Sequence, residues 1–245
     1  MKKLLIAIIC LVLVGCSRTK EVKKTKTVTD KKTEYAGTVV IDPGHQGKQN
    51  IELEPIGPGA KEKKVKVTSG TAGKWSKKTE AEINLIIGLQ LQKELEKRHY
   101  KVVMVRTSQN VNISNKERAE IANKAKGDVF IRLHCNGGNN PATSGALAVA
   151  PTKKNTFLNP DMITKSNQLS KDVLNYLCKA TGAKNRGLQY NDKLTGTNWS
   201  KVPTTVIEMG FMTNKEEDLK LANAEYQKKL CQGMSDGIDA YMKRK

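Results

Sequence analysis

From residue 38 onward, short apolar runs rich in β-branched residues alternate with longer amphipathic segments. No other feature of this chain constrains its fold so tightly. The apolar runs occupy residues 38–42, 101–106, 128–134, 145–150 and 204–209, with a shorter one at 187–190. Continuous apolar runs of this length predict strands buried on both faces. Helical patterns lie between them at 82–97, 114–125, 165–181 and 226–243. Ile83, Ile87 and Leu91 share one face of the first. Thr79 with Glu82, Ser114 with Glu117, and Thr213 with Glu216 each read as a capping box at a helix start, and Gly182 reads as a stop. Strand and helix alternating through one domain predict an α/β fold with a largely parallel sheet. Residues 47–78 contain Gly and Pro without clear periodicity, and read as a long loop of a functional or mobile kind.

Three of the predicted strands end on residues able to bind a metal. His45 follows the first strand through Pro43-Gly44, His134 ends the strand at 128–134, and Glu208 lies near the end of the last. In open α/β sheets, sites form beyond the carboxyl ends of the strands. Two of the three histidines in the chain stand at such ends. Glu80 lies in the first turn of the helix capped by Thr79, where the helix dipole favours a carboxylate. Glu82 is the rival there, but its better use is to reach back to the cap. Glu208 interrupts an apolar run, and an unpaired buried carboxylate is expensive unless it is protonated, paired or near a metal. A hydrolytic zinc site needs three N/O ligands, an open position for water and often a free carboxylate to take a proton. His45, Glu80, His134 and Glu208 can supply that set. Taken singly, each also has a plain structural reading, as a turn or core histidine or a helix-start glutamate. Cys135 adjoins His134, but neighbouring strand residues face opposite ways, which disfavours a thiol nucleophile. His99, at a helix end, receives no role.

The N-terminus reads as an export signal. Lys2-Lys3 precedes the apolar run 4–14, which is too short for a span of about 20 residues but fits a signal h-region. The run ends in Leu13-Val14-Gly15-Cys16, which resembles a bacterial lipobox with Cys16 as the lipidated residue. The alternative is an ordinary signal peptide with an incidental cysteine. On the lipobox reading, residues 1–15 are the signal, 16–36 a lipidated Lys/Thr-rich tether, and 37–245 one catalytic domain, anchored by lipid to the outer face of the membrane. Cys135, Cys178 and Cys231 then remain as free thiols packed as small apolar groups. The net charge of +19 is spread along the chain and aromatic residues make up only 4%. That describes a cationic surface and excludes a nucleic-acid reading head; anionic wall polymers and acidic lipids are the natural partners of an exported protein of this charge.

With these residues in view, the chain resembles the zinc-dependent N-acetylmuramoyl-L-alanine amidases of the type-3 family, over about residues 38–241. Ile41-Asp42-Pro43-Gly44-His45, Glu80 with Asn84-Leu85, Arg106-Thr107, and Arg118 with Ala122-Asn123 match the family's motifs in order. So do His134-Cys135-Asn136, and Glu208-Met209-Gly210-Phe211 with Asn214. Cys135 stands where the family usually has a small residue, and the 47–78 insert is longer than in minimal members. The resemblance implies a six-stranded twisted sheet flanked by helices. It implies Zn2+ on His45, Glu80 and His134, with either ring nitrogen of His45 open as the ligand, and Glu208 as the catalytic glutamate. It implies an enzyme that cleaves peptidoglycan between N-acetylmuramic acid and L-alanine; the chain is expected to act as a monomer. The rival expectations are a zinc carboxypeptidase-like hydrolase of stem peptides and a non-catalytic wall-binding lipoprotein.

Overall fold

The structure is a computed structural model and describes residues 35–244. The signal segment, Cys16 and the tether up to residue 34 lie outside the described residues. No helix among the described residues is long and apolar enough to cross a membrane.

Six strands form the main sheet: β1 (Gly37–Pro43), β4 (Tyr100–Met104), β5 (Val129–Asn136), β6 (Ala146–Ala150), β7 (Asn185–Tyr190) and β8 (Thr204–Phe211). Their spatial order is β4-β1-β5-β8-β6-β7. Every neighbouring pair is parallel except β6 and β8. The expected six-stranded, largely parallel α/β sheet is therefore present. Residues 47–78 depart from the expected loop: β2 (Asn50–Pro55) and β3 (Lys63–Val67) pair there as a separate antiparallel hairpin.

The helices are α1 (Glu80–Lys97), α2 (Asn115–Lys124), α3 (Pro160–Thr181), α4 (Thr195–Asn198), α5 (Lys215–Leu221) and α6 (Ala224–Met242). The Thr79–Glu82 and Ser114–Glu117 capping boxes are both formed. The third is not where the pattern put it. Asn214, not Thr213, caps α5 by accepting from Glu217 N, while Thr213 Oγ1 accepts from Gly138 N. Helix α3 starts at Pro160, earlier than expected, because Asn159 caps it and Pro at the first position suits a helix start. Gly182, at φ 73°, closes it in the left-handed conformation.

Strand alternation divides the interior into two cores. Val39 and Ile41 of β1, Val129, Ile131, Leu133 and Cys135 of β5, and Ile207 and Met209 of β8 face the large core, with α1, α3 and α6. Val40 and Phe130 face a smaller core with Ala119 and Ala122 of α2. By the same parity, Asp42, Arg132, His134, Val206 and Glu208 belong to the smaller-core face. Beyond that core, toward the carboxyl ends of the strands, this face opens into a cleft.

Candidate metal centre

His45 sits in the turn after β1 with φ 59°, a left-handed conformation uncommon for a non-glycine residue. Its surroundings hold it there. Arg118 donates from Nη2 to the His45 carbonyl at 3.0 Å and from Nη1 to the Pro43 carbonyl at 3.1 Å. Arg106 donates to the carbonyls of Pro43 and Gly44 at 2.7 and 3.0 Å. The His45 ring is fixed by Nδ1, which lies 2.8 Å from the Thr68 carbonyl oxygen. A carbonyl can only accept, so Nδ1 carries the proton and Nε2 presents its lone pair.

Nε2 of His45 lies 3.1 Å from Glu80 Oε1, and His134 Nδ1 lies 3.0 Å from the same oxygen. The two rings meet edge to face with centroids 4.8 Å apart. All three residues offer ligand atoms within 4.8 Å of one another. Gly44 permits this approach, because a Cβ there would fall 2.3 Å from the His134 ring. Glu80 is 3% exposed and is held by Thr71 N at 2.9 Å and Cys135 N at 3.1 Å. Burial raises its pKa, but the interactions with His134 and His45 outweigh that and keep the carboxyl well below its ordinary range. Burial lowers the pKa of His134, against the pull of Glu80. The centre therefore favours an ionised Glu80 and an uncharged His134.

That donor set fits a catalytic divalent site. Ligand atoms on a tetrahedral zinc stand about 3.3 Å apart, and the two N–O separations here are close to that. Glu208 supplies a second, independent sign. It pairs with His134 across β5 and β8, side by side on one face. Its Oε2 is buried without a hydrogen-bond partner among the described residues. Burial, with the Glu80 charge adding, pushes its pKa up to about 8. A buried carboxyl left unpaired beside two imidazoles is a candidate proton carrier. His45, His134 and Glu208 line one cleft of about 510 Å3.

All four expected site residues therefore converge. The rival glutamate, Glu82, is spent on the Thr79 cap, as its spacing indicated. Cys135 faces the large core, and burial drives its thiol pKa well above the ordinary value, so no thiolate forms there. His99 stands apart from the centre, at φ 62° after the end of α1. Cys135, Cys178 and Cys231 are free and buried, as expected.

Sequence reasoning gave no role to the groups that support the site. Asp42 accepts from Arg118 at 2.6 Å and Arg132 at 2.8 Å. Asn84 donates to the Gly44 carbonyl at 3.3 Å and contacts Glu80. Thr68 and Thr71 act through the backbone, which no side-chain pattern reveals. Arg132 did leave a signal, as a charge inside the apolar run 130–133.

The sequence profile of the Amidase_3 family, described as N-acetylmuramoyl-L-alanine amidase, matches residues 39–240. The YqiI protein of Bacillus subtilis is 26% identical over 204 residues, covering 83% of this chain and 84% of that protein. N-acetylmuramoyl-L-alanine amidase LytC of the same organism is 27% identical over 218 residues, 89% of this chain but 38% of LytC. The crystal structure of N-acetylmuramoyl-L-alanine amidase from Clostridium difficile 630 superposes with a TM-score of 0.70 at 28% identity, covering 87% of this chain and 99% of that one. By the span of the profile match, over a fold and a site that agree with it, the chain belongs to the N-acetylmuramoyl-L-alanine amidase family Amidase_3.

Proposed function

We propose that the protein is a zinc-dependent peptidoglycan hydrolase that cleaves the amide between N-acetylmuramic acid and L-alanine. One observation carries the reading: a His–Glu–His cluster of the catalytic-zinc type beside a buried carboxyl with an orphaned oxygen, at the floor of an open cleft. His45 through Nε2, His134 through Nδ1 and Glu80 would hold the ion. Zinc bound there supplies Lewis acidity, making water easier to deprotonate and the amide carbonyl more electrophilic. Glu208, its carboxylate form favoured by the charge of a bound cation, would take the proton from the attacking water and return it to the leaving L-alanine nitrogen. Glu80 stays ionised throughout, because the two imidazoles and two backbone N–H groups stabilise its charge.

The chain-level organisation belongs to the same proposal. Residues 1–15 act as an export signal, Cys16 carries the lipid, residues 16–36 tether, and 37–245 catalyse as a monomer. The support is the apolar run ending at Gly15-Cys16 and the Lys/Thr-rich stretch after it. Several acyl chains on this one cysteine would suffice to hold the domain at the outer face of the membrane.

The test combines zinc quantification with mass spectrometry of digested muropeptides. The expected result is about one zinc per chain, the ratio for one three-ligand site, with sugars bearing free lactyl carboxyl groups and intact stem peptides. Shortened stem peptides would mean a carboxypeptidase. Stoichiometric zinc with no cleavage of any wall substrate would mean a binding lipoprotein.

A further inference from the structure

Arg132 lines the same cleft as His45 and His134, yet nothing in the hydrolytic step uses it. It is 4% exposed and is held on two sides. Nε donates to Asp42 Oδ2 at 2.8 Å and Nη2 to Asn115 Oδ1 at 2.6 Å. Nη1 has no hydrogen-bond partner among the described residues. The guanidinium is also confined by α4, since a Cβ on Gly196 would fall 2.4 Å from Nη1. Asn115 is in turn fixed from the hairpin, donating to the Lys66 carbonyl at 2.6 Å. The group is therefore preorganised, with one donor arm unspent.

Charge points the same way. Asp42 is one carboxylate facing two guanidiniums, Arg118 and Arg132. Arg118 meets further acceptors, the carbonyls of Pro43 and His45 and the side chain of Gln46. Within that Asp42–Arg118–Arg132 group one positive charge is left over. Lys64 and Lys193 stand at the same cleft, though Lys193 is engaged with Glu62.

Position selects the ligand. Arg132 and His134 lie two residues apart on one face of β5, about 6.6 Å along the strand. A substrate whose scissile amide lies at the metal centre reaches that distance about one residue beyond L-alanine, at roughly 3.3–3.6 Å per residue plus a side group. We infer that Arg132 is a specificity residue that binds a carboxylate on the stem-peptide residue following L-alanine. The inference deepens the amidase reading and rests on it.

The experiment compares two muropeptide substrates that differ only at that residue, one with a free carboxyl group and one with a carboxamide. The unmodified, zinc-loaded full chain should prefer the acid by about tenfold to hundredfold in kcat/KM, the range of a charge-assisted hydrogen bond. Arg132→Gln should erase that preference, mainly through KM on the acid, and Arg132→Lys should restore part of it. If the wild-type protein cleaves both substrates equally, or if Arg132→Gln slows both by one factor, Arg132 has a structural role only and the inference is overturned. If the wild-type protein cleaves neither, the amidase reading itself fails. The wild-type comparison requires no variant to fold.

Discussion

Individual atoms at this site are held by contacts that make their loss easy to read. Glu208 is half-buried at the cleft and makes no hydrogen bond through Oε2 among the described residues, so exchange for the isosteric amide costs little packing. Glu208→Gln should keep zinc at the wild-type ratio while turnover falls by about a hundredfold to ten-thousandfold, the usual range for a lost general base. Near-normal turnover at full zinc would refute its role. Gly44 tests the metal cluster from the other side. Gly44→Ala would push a methyl to 2.3 Å from the His134 ring and 2.7 Å from the Leu133 carbonyl. The ring must move, and zinc affinity should fall about 10- to 100-fold, as for other changes in ligand support. A chelator competition titration measures it, and an unchanged affinity would show that His134 is not a ligand.

Among the elements, the segment between β3 and α1 does more than connect. Its Thr68 carbonyl fixes the His45 ring, and its Thr71 N–H binds Glu80. The segment is pinned from α5, where buried Asp218 accepts from Trp75 N at 2.8 Å, Ser76 N at 3.0 Å and the Ser76 hydroxyl. Asp218→Ala should leave those donors unsatisfied and cost about 1–3 kcal/mol, with weaker zinc binding as well. Thermal melting of the chelated and loaded protein separates the two effects; a variant equal to wild type in both would sink the account. The hairpin also gains its form from tertiary contacts. Trp199 Nε1 donates to the Pro55 carbonyl at 3.0 Å, Asn198 Nδ2 to the Ile56 carbonyl at 2.9 Å, and Glu54 accepts from Lys116 N at the start of α2. Ile51 and Leu53 are exposed, while Ile56 and Val67 are buried. Ile51 and Leu53, and Val65 and Val67, do alternate with polar residues, but each run is short and β2 turns its two apolar residues outward and Glu54 inward, so the hairpin is held by these tertiary contacts rather than by an apolar face.

Across the whole molecule, Asp42 joins β1, α2 and β5 through Arg118 and Arg132. Burial raises its pKa, but the two guanidiniums prevail and hold it well below the carboxylate range. Its folded pKa is thus depressed relative to about 3.9 in the unfolded chain. The stabilisation is present above that value and is lost as pH falls below it. Asp42→Asn should cost about 3–5 kcal/mol near pH 7, because it leaves buried guanidiniums uncompensated. In urea unfolding, the gap to wild type should narrow as pH drops below about 4. A gap constant with pH would exclude this linkage. The three elements so joined also carry His45, Arg132 and His134, so the same pairing that stabilises the fold sets the register of the cleft.

The sequence by itself determined the alternation of strands and helices, two capping boxes and which four residues, His45, Glu80, His134 and Glu208, come together. Each of these is a local signal: a run of β-branched residues, a Thr three residues before a Glu, a carboxylate inside an apolar strand. The antiparallel placement of β6, the hairpin, the Asn214 cap and the orientation of the His45 ring were decided by tertiary structure. They depend on partners far along the chain, as Thr68 is from His45 and Asp218 from Ser76. Backbone carbonyls and N–H groups do much of that work, and every residue carries them, so no residue type marks where they will act.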